Sequence, residues 1–188
     1  MEIVTLVIFA VLTLYMIMLY NSLVSVKNNI AKAWSNIEIL LKQRHDELPK
    51  LIDTCKQYMK HEQETLEKVM LARSQVSKAQ QSHNVNALGT AEGALRTGLG
   101  NLFALAEAYP ELKANENFLH LQSRISGLEN AIADRREFYN ESVNINNVRI
   151  EQFPDLLVAK LFNFPRFELM RFASEELRDI DIGKRFNS

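Results

Sequence analysis

Eighteen consecutive residues without a charge, IVTLVIFAVLTLYMIMLY at Ile3–Tyr20, limit what this chain can become. As a helix they extend about 27 Å at 1.5 Å per residue, close to the ~30 Å hydrocarbon core of a bilayer. Ile3, Leu6, Phe9, Leu12, Tyr15, Leu19 and Tyr20 leave no polar face that would suit a soluble helix. Tyr15 and Tyr20 lie toward the downstream end, where the membrane interface favours aromatic rings. A cleaved signal peptide is the competing reading. It would need a basic start and a small-residue cleavage site, whereas Glu2 opens this segment and no such site follows. The segment is therefore expected to be an uncleaved transmembrane anchor over residues 1–26. Lys27, Lys32, Lys42 and Arg44 follow it and no Lys or Arg precedes it. By the positive-inside rule the short N-terminus is expected outside and the bulk in the cytoplasm, with a periplasmic bulk as the alternative.

Downstream, apolar residues recur at intervals of three and four: Ile30, Trp34, Ile37, Leu41, Leu48, Leu51, Cys55, Tyr58, Leu66 and Val69. That period is helical, and with 4 Pro and 6 Gly in 188 residues the expected class is all-α. Pro49 interrupts the period without shifting its phase. A proline removes one helical hydrogen bond and crowds the carbonyl four residues back. An unbroken phase favours a helix that continues through it with a kink. One rod is then expected from Ile3 to about Gln81, roughly 110–120 Å long.

SKAQQSHNVNALG reads as the first turn, with Ser82 or Asn84 capping a helix over about 84–108. Gly89, Gly93, Gly98 and Gly100 in that helix indicate either a weak helix or close approach by a neighbour. Tyr109-Pro110 ends it, because the residue before proline is pushed out of α geometry. Asn115 is placed to cap the next helix, about 115–152. Its stripe begins Phe118, Leu121, Ile125, Leu128, Ile132 and continues through Arg135, Tyr139, Ser142, Asn146, Arg149 and Phe153. This is a coiled-coil-like seam whose second half is polar. The competing reading rotates the helix, exposing Arg135 and Arg149 and turning Val143 and Ile150 inward.

The remaining segment, 153–188, is rich in phenylalanine: Phe153, Phe162, Phe164, Phe167, Phe172 and Phe186. Pro154 is expected to start a short helix and Pro165 to stop it, with Leu156, Leu157, Leu161 and Phe162 as an apolar face beside Lys160. Capping the bundle is the favoured role; a membrane interface or a neighbouring subunit are the alternatives.

The formal net charge is −1, so nothing points to nucleic acid. The one cysteine, Cys55, lies on the apolar stripe and excludes an internal disulfide. HEQET at His61–Thr65 lacks the second histidine of a zinc-binding HExxH, and His45, His83 and His120 fall on separate elements. No nucleotide loop or nucleophile elbow is present, so no catalytic, cofactor or metal site is expected and no enzyme. RHDELP at Arg44–Pro49 is the densest polar patch on the stripe. It is read first as a solvated face beside a bend. The alternative is a polar knot of Arg44, His45 and Asp46 with Glu107, Asn115 or Glu116. A buried Arg44 would have to be paired.

AWSNIEILLKQRHDELPKLI at Ala33–Ile52, KHE at Lys60–Glu62, AR at Ala72–Arg73, LFALAEAYPELKANENFLHLQ at Leu102–Gln122 and the later ISGLENAIADRREFYNESV and FP resemble the LemA family over most of the chain. Gln57 stands where the family usually has Gly, and Asn146 where it usually has Tyr. The resemblance implies a bacterial single-pass inner-membrane protein with an extracytoplasmic N-terminus and a helical bundle. No enzymatic activity is established for the family, and one branch is implicated in building magnetosome membranes.

The expected architecture is thus an anchor continuing into a long antiparallel bundle of three to four helices over 27–152, with the Phe-rich segment appended. Trp34, Arg44, Pro49, Tyr109, Pro110, Asn115, Phe118, Arg135, Tyr139, Asn140, Phe153, Phe162 and Phe164 are the candidate bundle and assembly positions. A rod so long would carry more apolar seam than two shorter helices cover, so a self-assembling membrane scaffold is expected. The rival is a monomeric tethered adaptor binding an envelope protease or another inner-membrane protein. The lipid bilayer and further copies of the chain are the expected partners.

Overall fold

The computed structural model describes residues 1–171. Phe172 and Phe186, part of the expected Phe-rich segment, lie outside the described residues. Among the described residues six helices follow in order: α1 (Glu2–Tyr58), α2 (Gln63–Gln81), α3 (Val85–Ala106), α4 (Pro110–Lys113), α5 (Glu116–Arg149) and α6 (Asp155–Leu161). Among the described residues no strand is present.

α1 is one helix of 57 residues with Pro49 inside it. The expected rod to Gln81 is corrected, because α1 ends at Tyr58. Met59 N still donates to Cys55 O at 2.8 Å, then Glu62 N closes the turn onto Met59 O at 3.4 Å. Met59 itself is buried and seals the bend. Leu66 and Val69, expected farther along one continuous stripe, instead lie on α2 and are buried there, Val69 beside Gly98 of α3. The turn at Ser82–Asn84 is therefore the second. Asn84 caps α3 through Oδ1, which accepts from Ala87 N at 2.9 Å. Pro110 occupies the first turn of α4, where its missing N–H has no helical partner to lose. Asn115 Oδ1 accepts from Phe118 N at 3.0 Å and caps α5.

The chain packs as two units, and α1 and α5 each contribute to both. Within the unit of residues 1–41 and 130–169, α5 runs antiparallel to α1. Arg149 reaches Ser22 at one end, and Trp34 stacks at 5.7 Å on Tyr139 further along. Leu23, Ile30, Ala33, Ile37, Ile132, Tyr139 and Val143 form its interior. Within the unit of residues 42–129, joined by Met170 and Arg171 of the described chain, α2 folds back so that Arg73 bonds His45 of α1, and α3 packs on α2. Leu48, Leu51, Cys55, Val69, Leu88, Leu95, Leu99, Leu102 and Phe118 are buried there. Each such side chain contributes about 1.5–3 kcal/mol.

This closure corrects the expectation of surplus seam. Of the stripe from Ile30 to Val69, Trp34 and Tyr58 are half-buried and the other residues are buried within the chain itself. Two outcomes mix on α5. Arg135 is exposed and Val143 buried, as a rotated helix requires, yet Tyr139, Ser142 and Asn146 of the polar seam are buried as well. The first turns of α1 differ from everything downstream. They contain a stretch long and apolar enough to cross a membrane, none of it buried, and Ile3 and Phe9 are 79% and 72% exposed.

Candidate functional site

Pro49 determines what must surround it. Its nitrogen carries no hydrogen, so the carbonyl of His45 has no helical donor. Arg73 of α2 supplies one: its Nε donates to His45 O at 3.0 Å. The same guanidinium lies 2.6 Å from His45 Nε2. Arginine cannot accept, so Nε2 is the acceptor and the imidazole is neutral. Burial pushes the His45 pKa below its ordinary 6.5, Arg73 adds to the fall, and Asp46 opposes it.

One residue earlier, Arg44 is 2% exposed. This overturns the solvated-face reading. Its guanidinium binds Glu92 of α3, itself buried, and reaches Glu129 of α5 at 3.1 Å. Glu107, Asn115 and Glu116, the expected partners, are engaged elsewhere or lie apart from it. Glu107 pairs with Lys113 in the corner. Asn115 Nδ2 donates to Tyr58 OH at 3.0 Å, and Tyr109 OH donates to Glu62 at 3.2 Å. Glu116 is exposed. Burial pushes the Glu129 carboxyl up and neighbouring Glu92 adds to the rise, while Arg44 and Arg96 pull it down. Glu47 completes the polar belt, bound by Arg124 at 3.1 Å and Lys50 at 3.3 Å. Cys55 is fully buried in the same unit, which drives its thiol pKa up to about 12 and keeps it an unreactive core group.

The other unit gathers polar groups where α1, α5 and α6 meet. Arg149 Nε donates to Asp155 Oδ2 at 2.7 Å and its Nη1 to Ser22 Oγ at 2.8 Å. Asn146 Nδ2 donates to Pro165 O at 3.1 Å. Asn147 binds the Phe167 backbone twice, at 2.9 and 3.0 Å. These bonds hold the chain after α6 along α5. α6 buries Val158 and Ala159 against Leu23, with Met16, Leu19, Ile150 and Phe164 around them. Asn140 is partly buried. Capping of the bundle by the aromatic segment is corrected in part: Phe153 is 79% exposed and Phe162 54%, whereas Phe164 is half-buried.

Sequence reasoning placed Arg44 correctly on the stripe and missed its partners. Glu92 had a readable signal: an acid four residues after Leu88 and three before Leu95, in the middle of an apolar face. Glu129 and Arg149 offered no comparable sign.

Among the described residues no three His, Cys, Asp or Glu side chains converge as metal ligands would. An open groove between α2 and α3 is lined by Lys68, Leu71, Arg96, Thr97 and Asn101, with no carboxylate or imidazole in its walls. The buried acids are instead occupied by arginines that join helices.

The sequence model of the LemA family matches residues 33–182. Magnetosome protein MamQ 2 of Paramagnetospirillum magneticum is 33% identical over 82 residues, 44% of this chain and 30% of its own. Magnetosome protein MamQ of Magnetospirillum gryphiswaldense matches to the same extent. The chain thus spans under a third of the length of these relatives. Protein LemA of Metamycoplasma hominis is 28% identical over 171 residues, 89% of this chain and 75% of its own.

Proposed function

The chain belongs to the LemA family, and we propose that it is a non-catalytic helical scaffold anchored in the bacterial inner membrane and working as a homo-oligomer. The observation that carries the reading is the start of α1. No residue of its apolar window is fully buried, and the helix continues without a break into a well-packed helical body. Water does not tolerate that much exposed apolar surface on an isolated helix, and a bilayer does. The basic residues after it support an N-terminus outside and a body in the cytoplasm.

With most of the seam covered within the chain, self-association does not rest on surplus stripe. It rests on α5, where Phe138, Ile145 and Val148 leave 46%, 44% and 41% of their surface exposed at helical spacing. Anchors held side by side by such faces would organise the membrane around them, in keeping with relatives named as magnetosome proteins. The closed seam favours a second reading, a monomeric tethered adaptor. Light scattering on the full-length protein eluting from a sizing column in detergent separates the two. A particle of defined size at a multiple of 21.6 kDa of protein is expected. A protein mass of one chain would overturn the scaffold and leave the adaptor.

A further inference from the structure

We infer that α6 is a second membrane contact: it lies in the interfacial layer beside the cytoplasmic end of the anchor, with Phe153, Leu157, Leu161 and Phe162 in the acyl boundary.

α6 is two-sided. Val158 and Ala159 pack on Leu23. Leu157 and Leu161, one turn apart on α6, are 55% and 66% exposed, and Phe153 and Phe162, which flank the helix, are 79% and 54% exposed. Four large apolar side chains open to solvent on and beside so short an element need a cover. The cover is named by what α6 sits against. Its inner face touches Met16, Leu19 and Leu23 of α1. The Phe162 ring lies 4.7 Å and the Phe164 ring 5.8 Å from that of Tyr20. Residues 16–23 are the last turns of the apolar span and the first beyond it. The hydrocarbon boundary must pass close to Tyr20, because the eighteen-residue run is barely as long as the core is thick. The exposed stripe of α6 is therefore level with the bilayer surface and continuous with the apolar flank of the anchor.

Charge placement agrees. Lys160 projects from α6 and is exposed, with Lys27 one turn beyond the anchor contact. Cations on the polar side of an apolar helical stripe suit a headgroup layer. The polar link from Arg149 to both Ser22 and Asp155 fixes the start of α6 beside α1, so the contact is set by the fold.

The inference rests on the apolar part of α1 crossing the bilayer, and the experiment tests both. Single cysteines are placed at Leu157, Leu161, Val11 and Leu71 of the full-length protein. Each is nitroxide-labelled after reconstitution into phosphatidylcholine–phosphatidylglycerol vesicles. Buried Cys55 stays unlabelled, and the unsubstituted protein measures any background. Relative accessibility to oxygen and to a nickel chelate reports depth. The ratio is expected to be several-fold higher at Leu157→Cys and Leu161→Cys than at Leu71→Cys, which marks an exposed position of the body. Equal ratios at 157, 161 and 71, with a high ratio at Val11→Cys, overturn the α6 contact and leave the anchor standing. A low ratio at Val11→Cys overturns the anchor and the inference together. Labels at 157 and 161 shielded from both reagents show a protein cover, a second copy among them, and overturn the inference too.

Discussion

Arg44→Met tests whether the buried charge cluster holds three helices together. The arginine is 2% exposed and Glu92 4%, and the two are in direct contact. Removing the cation leaves Glu92 as an uncompensated charge in the interior, with Glu129 beside it at 18% side-chain exposure. Breaking a buried pair from one side costs about 3–5 kcal/mol. At about 2–4 °C per kcal/mol for a chain of this size, the melting temperature should fall by roughly 6–20 °C. The assay is thermal unfolding of the full-length protein in detergent, followed by circular dichroism at the helical minimum. A double-mutant cycle makes the result specific. Glu92→Gln should cost several kcal/mol in the wild type and far less, or nothing, once Arg44 is methionine. An Arg44→Met melt within a degree or two of wild type, or strictly additive effects of the two substitutions, would refute the pairing argument.

Arg73→Met should cost about 1.5–3 kcal/mol, since a charged donor to His45 O is lost. Pro49→Ala restores the helical N–H to that carbonyl, so the Arg73→Met penalty should shrink in its background; an unchanged penalty in the same melts counts against the role assigned to Arg73. The folded-state pKa of His45 lies below 6.5, so the unfolded chain binds its proton more readily. Stability is then held above 6.5 and lost as pH falls, and His45→Gln should flatten the drop in melting temperature between about pH 7.5 and about pH 5.5. Gly100→Ala meets open space and should stabilise by about 1 kcal/mol. At Gly89 a Cβ would lie 2.0 Å from the Arg171 carbonyl oxygen, so Gly89→Ala should lower the melting temperature.

The glycines and the turns show where the primary structure runs out. Gly89 and Gly100 look alike in a sequence of similar composition, yet one lies under a backbone carbonyl from far along the chain and the other faces nothing. The close approach comes from Arg171, which no local pattern could bring there. The bend at Met59–Glu62 was missed for a related reason. It holds neither Gly nor Pro. The apolar period also runs on across the bend, because Leu66 and Val69 are buried on α2 and so are apolar whether the helix continues or folds back. Periodicity reports which side of a helix is apolar, not which partner covers it.

What the residues determined alone are the local properties. The long apolar start of α1 follows from eighteen uncharged positions. The helical class follows from period and composition. The cap at Asn115, the stop at Tyr109-Pro110 and the passage of α1 through Pro49 follow from backbone chemistry within a few residues. Only the tertiary structure decided the pairings. It chose Glu92 and Glu129 for Arg44, Arg73 for the carbonyl that Pro49 leaves without a donor, and Leu23 of α1 as the seat of α6. Backbone preferences act over one or two turns, whereas burial and charge pairing join residues 28 to 135 positions apart. Their partners become identifiable only when the helices are laid side by side.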